Sequence, residues 1–254
     1  MKDKIRALGE IGMELLYPRK CVFCNEAVPM KSYKGIIEKR TYDFLCEKCK
    51  AKIKDKYIEE PYCFKCGKQL DDETREYCDD CRKMQHTYDR GLAVFKYHDD
   101  VKESVYRFKY KDCKIYGEFY GVQMAEKYKT IIGKWQPDVI IPVPIHKSRM
   151  RKRGYNQAEV IGKSLSEALK IPMDINVLVR EKKTEPQKNL SKDIRKKNVE
   201  SAFKVAKNVV KYNKIILVDD IYTTGATVDA CARVLKRAGV KKVYFISICI
   251  GAGV

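Results

Sequence analysis

Eight of the eleven cysteines fall between residues 21 and 81 as four C-x-x-C pairs: Cys21/Cys24, Cys46/Cys49, Cys63/Cys66 and Cys78/Cys81. A C-x-x-C pair puts two thiolates on one turn, and two pairs supply the four sulfurs of a tetrahedral structural zinc site. The eight thiols therefore predict two zinc ions, each in a closed shell that contributes folding energy and leaves no position for a substrate. A redox-active motif and disulfides are the alternatives, and disulfides conflict with a reducing compartment. Sequential and crossed pairings use the same residues, so the spacing leaves the grouping open. Cys113, Cys231 and Cys249 stand alone in apolar or helical surroundings.

The rest of the chain is organised differently. Residues 3–17 carry Ile5, Leu8, Leu15 and Leu16 at helical spacing before Pro18, an amphipathic helix that docks on the protein or, on the sharper reading, on a membrane surface. The cysteine region is short of apolar residues and leans on metal for stability, which sets a small module at 1–88 and a second domain at 89–254. That second domain alternates. The runs RGLAVFKYH (90–98), PDVIIPVPI (137–145), KIILVDD (214–220) and KVYFISICI (242–250) are almost continuously apolar. Between them lie helical patterns at 100–132, with a break expected near Asp112, at 156–170 and at 225–239. Strands apolar on both faces and separated by helices predict a doubly wound α/β fold with a mainly parallel sheet, whose ligands gather at the carboxyl ends of the strands.

Two polar stretches sit at such ends. In ILVDDIYTTGAT, 216–227, Asp219 and Asp220 can accept hydrogen bonds from a sugar diol or help hold a hydrated magnesium. The turn that follows offers threonine hydroxyls, backbone N–H groups and a helix N-terminus, the makings of a phosphate cradle. An ordinary strand-to-helix turn capped by Thr224 or Thr227 is the plainer reading, but caps do not account for two carboxylates on a buried strand. No G-K-[ST] follows the glycine, which excludes a P-loop.

At these residues the sequence resembles the type I phosphoribosyltransferases, whose hallmark is a hydrophobic strand, two acids and a T-T-G-x-T-like loop that binds phosphoribosyl pyrophosphate (PRPP). Upstream, IIPVPIHKSRMRKRGYNQAEVIGKSLS (140–166) and TEPQKNLSKDIRKKNVESAF (184–203) are similar to the ComF/GntX family of competence proteins, which also carries an N-terminal cysteine-rich zinc module. The resemblance covers nearly the whole chain. It implies that Asp219 and Asp220 contact the ribose hydroxyls with magnesium nearby, and that Thr223, Thr224, Gly225, Ala226 and Thr227 hold the 5-phosphate. It implies that Pro142, Val143 and Pro144 form the short pyrophosphate loop, although the prolines can also simply end a strand. Lys147, Arg149, Arg151 and Arg153 are then nearby cations, and the stretch around Thr184, Gln187, Asn189, Leu190, Arg195 and Asn198 is a mobile cover. Some purine phosphoribosyltransferases place an aspartate where this chain has Thr223, which cannot serve as a proton acceptor near neutral pH. Transfer to an acceptor is therefore an open alternative, with no catalytic residue assigned.

Charge supplies the other half. Lys and Arg number 53 against 34 Asp and Glu, a formal +19, which favours anionic partners, although a basic surface can also serve solubility alone. Fifteen cations face six acids between residues 141 and 198, more than a pyrophosphate requires. Interleaved with Tyr155, such a segment suits single-stranded DNA, whose phosphates need cations and whose bases stack on an aromatic ring. The family's association with natural transformation implies a role in DNA uptake, beside the uptake machinery at the inner face of the membrane. No apolar run reaches the roughly 18 residues of a membrane span, so a cytoplasmic location is expected.

Overall fold

The computed structural model describes residues 18–28, 44–181, 202–206 and 211–251. The expected helix at 3–17 and the expected cover at 184–198 lie outside them.

Four strands, β1 (Arg90–Lys96), β2 (Val139–Pro142), β5 (Lys214–Tyr222) and β6 (Lys242–Ile250), form one sheet in the order β1-β6-β5-β2. Every neighbouring pair is parallel, with Ile216 opposite Tyr244 across β5 and β6 and opposite Ile140 across β5 and β2. Alternate residues of each strand are buried on opposite faces, which is why the sequence runs are apolar without a period of two. On one face Leu92, Val94, Ile140, Ile216, Val218 and Ile246 meet α4 (Asp99–Tyr110), α5 (Tyr116–Trp135) and α7 (Gln157–Leu169). On the other, Ala93, Val139, Ile141, Leu217 and Phe245 meet α8 (Ala226–Arg237). Helices on both faces of a parallel sheet make the fold doubly wound, as the alternation predicts. Asp112, with φ at 52°, separates α4 from α5 where the break was expected. A short antiparallel ribbon of β3 (Leu178–Arg180) and β4 (Phe203–Val205) lies against α8.

Among the described residues, the cysteine region contains three short helices, α1 (Glu47–Ala51), α2 (Ile53–Lys56) and α3 (Asp79–Lys83), and is built into the same core. The free edge of β1 is closed by this region: Ile58 N donates to Val94 O at 2.9 Å and Gly91 N to Lys65 O at 2.8 Å. At the far edge, Ile140 N donates to Pro172 O and Asp174 N to Ile140 O. Among the described residues, no helix is long and apolar enough to cross a membrane.

Candidate functional site

The eight paired cysteines gather into two sets, Cys21, Cys24, Cys46 and Cys49, and Cys63, Cys66, Cys78 and Cys81, with the sulfurs of each set within 4.8 Å of one another. The structure thus settles the grouping that spacing left open: it is sequential. Zn–S bonds of about 2.3 Å put tetrahedral sulfurs about 3.8 Å apart, and Cys24 and Cys46 sulfurs stand 3.5 Å apart, Cys66 and Cys78 sulfurs 3.7 Å. Hydrogen bonds from Cys66, Cys78 and Cys81 pull the Cys63 thiol far below its ordinary range, and the contact with Cys63 in turn pushes Cys66 and Cys81 up. Four thiols this close become thiolates together only around a cation, so both sets fit a structural zinc.

The second candidate lies at the carboxyl ends of the strands. Asp219 and Asp220 end the apolar run of β5, and Asp220 N donates to Asp219 Oδ1 at 2.8 Å. Burial and the neighbouring Asp220 charge push the Asp219 carboxyl up to about 7, against the pull of Lys109 and Arg180. Lys109, at the end of α4, pairs its Nζ with Asp220 Oδ2 at 2.9 Å, both side chains being largely buried. No local pattern singles out Lys109 in the sequence; it arrives from 111 residues away through the packing of α4 beside β5.

Past Tyr222 the chain turns through exposed Thr223 and Thr224 to Gly225, which caps α8 with φ at 78°. A Cβ there would stand 2.5 Å from Tyr222 Oη and 3.1 Å from His86 Cε1, so only glycine fits the turn. Neither Thr224 nor Thr227 is the cap. The N–H groups of the first turn of α8 are consequently left for another acceptor. Beneath the turn, Asp229 accepts from His86 Nδ1 and Thr87 N, both at 2.7 Å, and Tyr88 and Tyr222 hydroxyls meet at 2.8 Å. This buried cluster ties the cysteine region to the loop, and sequence reasoning missed it because its members are more than 130 residues apart.

At the neighbouring strand end, Pro142 closes β2 and Val143 N donates to Val218 O at 2.9 Å, which keeps Pro142–Pro144 beside the β5 acids. α6 (Lys147–Arg153) follows, its first turn capped by His146, whose Nδ1 accepts from Ser148 N.

The family comparisons coincide with this geometry. A double zinc ribbon domain matches residues 12–82 and a phosphoribosyl transferase domain matches residues 124–252. Competence protein F of Haemophilus influenzae is 32% identical over 205 residues, which cover 78% of this chain and 87% of that protein. The chain belongs to the ComF/GntX family. Competence protein ComFC of Bacillus subtilis is 27% identical over 86% of this chain and 89% of its own length. DNA utilization protein YhgH of Escherichia coli K12 is 27% identical over 68% and 77%. The chain thus carries a double zinc ribbon followed by a phosphoribosyltransferase-type fold.

Within that family frame the residues expected to bind divide. Asp219, Asp220 and the 223–227 loop are contiguous, the 142–144 turn is beside them, and Lys147, Arg149 and Arg151 are exposed on α6. Arg153 is half-buried and donates to Gln157 Oε1 and to Tyr110 Oη. Tyr155 is a correction: it is only 8% exposed, packs against Phe108 and donates its hydroxyl to Phe108 O. It is a core residue and offers no face to a base. The run of cations around it suggested a basic surface with the ring exposed for stacking, whereas the chain turns at Gly154, with φ at 78°, and buries Tyr155.

Proposed function

We propose that the protein acts in DNA uptake, binding PRPP with magnesium at the carboxyl edge of the sheet and single-stranded DNA on the adjoining cationic surface. The observation that carries the PRPP reading is the pair Asp219 and Asp220 followed within five residues by a glycine-capped helix whose first-turn N–H groups are open. A diol beside a phosphate monoester satisfies both halves at once. Asp219, Asp220 and water would hold the magnesium, which neutralises the pyrophosphate. The exposed Lys147, Arg149 and Arg151 lie at the next strand end, where the pyrophosphate and then a polyanion would pair with them. The names of the relatives, two competence proteins and a DNA utilization protein, support the DNA half of the reading.

Both halves are tested together. Calorimetry should detect magnesium-dependent PRPP binding that falls at least roughly tenfold, about 1.4 kcal/mol, when Asp219 and Asp220 are both replaced by Asn. Equal affinity in that variant would move the site elsewhere. Replacing Lys147, Arg149 and Arg151 by Ala should weaken single strands of every sequence alike and lower the log–log salt slope by about 0.7 per lost contact. Release of pyrophosphate from PRPP with a base, an amine or DNA would make the protein a transferase; its absence across that panel would leave PRPP as a ligand.

A further inference from the structure

The DNA reading needs an aromatic surface, and Tyr155 does not supply it. Two exposed tyrosines do. Tyr106 and Tyr110, 49% and 43% exposed, occupy i and i+4 on the outer face of α4, with ring centroids 5.1 Å apart. The opposite face of the same helix, Val101, Ser104, Val105 and Phe108, is buried, so α4 is anchored against the sheet and presents the two rings outward. No acid occurs between Ser104 and Lys111, whereas Arg107, Lys109 and Lys111 do.

Cations from a second element complete the patch. Arg153 Cζ lies 5.0 Å and Lys152 Nζ 5.6 Å from the Tyr110 ring centroid, and Arg153 Nη2 donates to the Tyr110 hydroxyl at 3.1 Å. Partial burial raises the Tyr110 phenol, but the charges of Arg153, Lys109 and Arg149 prevail and hold it below its ordinary value. Lys109, one residue before Tyr110, reaches in the other direction to Asp220. Tyr110 thus touches the α6 cations, and its neighbour Lys109 ties the same helix to the β5 acids.

We propose that Tyr106 and Tyr110 on α4, flanked by Arg149, Lys152 and Arg153 on α6, form a base-stacking platform for single-stranded nucleic acid beside the carboxylates of β5. This inference rests on the DNA half of the reading above and assigns it residues. Two exposed rings in contact, their planes tilted by 48°, offer an aromatic surface for a base, and the guanidinium of Arg153 extends it. Cations that surround the rings suit the phosphates on either side of a stacked base. A duplex, whose bases are covered by their own stack, would gain nothing from the rings.

The test is fluorescence anisotropy with the full chain, a labelled oligothymidylate and the same strand made abasic. The variants are Tyr106→Ala with Tyr110→Ala, and Tyr106→Phe with Tyr110→Phe. Both tyrosines are exposed, so each variant should unfold at nearly the parent's temperature. The double alanine variant should bind the intact strand at least roughly fivefold more weakly, the lower end of the roughly 5- to 150-fold loss expected for each stacked ring. Its salt slope should match the parent's, because no phosphate contact is removed. The phenylalanine variant should bind as the parent does, and the abasic strand should not distinguish the three proteins. An alanine variant that binds the intact strand as tightly as the parent, or that loses intact and abasic strands equally, overturns the platform and leaves the DNA reading in place. A parent that binds neither strand overturns both.

Discussion

The two four-cysteine sets are built to one plan and attached to opposite faces of one sheet. In each, the first C-x-x-C is a tight turn between two bridged residues, Lys20 with Ala27 and Tyr62 with Gln69, and the second opens a short helix, at Cys46 and at Cys78. The residue after the first pair is left-handed in both, Asn25 with φ at 64° and Gly67 with φ at 78°. The difference between Asn and Gly is instructive. A Cβ on Gly67 would stand 2.9 Å from Gly91 O and Leu92 Cα, because the second set is pressed onto the backbone of β1. The first set meets the protein through side chains instead. Phe23 packs edge-on against Phe95 and Phe119, and Arg107 donates to the carbonyls of Val22 and Phe23. Past its last cysteine, the second set leads within five residues to His86 and so to Asp229 under the Gly225 turn. One set therefore buttresses α4 and α5, and the other underlies the candidate phosphate loop.

The sharpest way to break this contrast is to remove one metal at a time. Parent protein purified under reducing conditions should hold two zinc ions, and Cys66→Ser and Cys24→Ser should each hold one by elemental analysis. An occupied structural zinc site contributes on the order of 10 kcal/mol of apparent binding energy, so both variants should melt earlier. Only the Cys66 variant should also lose PRPP binding in its folded fraction, because Cys66 is buried beside Tyr88 and Tyr222 while Cys24 is exposed. Equal loss of PRPP binding in the two would abolish the distinction.

Side chains give a finer version. Phe23→Ala should cost about 3 to 5 kcal/mol in denaturant unfolding with PRPP affinity retained. His86→Ala should cost less, about 1 to 3 kcal/mol for leaving the Asp229 carboxylate short of a partner, but should weaken PRPP as well. Retained affinity in the His86 variant would show that the loop stands without its support.

The smallest effect sharpens the loop alone. The folded Asp219 carboxyl titrates near 7, above its unfolded value of about 3.9. The folded state therefore binds the extra proton in that window, and stability is highest below it and falls as pH rises through it. Asp219→Asn should flatten this decline and make the unliganded protein more stable at pH 8 than the parent. A variant whose stability follows the parent's pH curve would mean that another group carries the decline.

Legibility in the sequence followed the range of the interactions. The four strands and the helices α7 and α8 emerged from local hydrophobic pattern, with KVYFISICI matching β6 residue for residue. The eight ligands emerged from C-x-x-C spacing, but their grouping did not, since it depends on how the chain returns between Cys24 and Cys46. The acids and the loop were legible because a strand end and a turn are contiguous. Lys109, His86 and Tyr110 were not, because each acquires its role from a partner on another element. Tyr155 misled for the converse reason: its local surroundings are cationic, and only the tertiary fold turns it toward Phe108. The β3–β4 ribbon was also missed, its two short strands being too brief for a periodic signal.

The closure of the sheet edge by the cysteine region has a consequence for how the protein would fail. β1 is a seven-residue strand, buried along its middle, and the partners of its open side are Ile58, between the second and third cysteine pairs, and Lys65, inside the third. A parallel edge stripped of such cover presents unpaired amide groups on an apolar ribbon, a template for pairing with a second chain. Zinc-depleted chains should thus be lost to self-association in preference to reversible unfolding, and the yield of soluble protein during synthesis should track the supply of metal more closely than any property of the phosphoribosyltransferase-type domain itself.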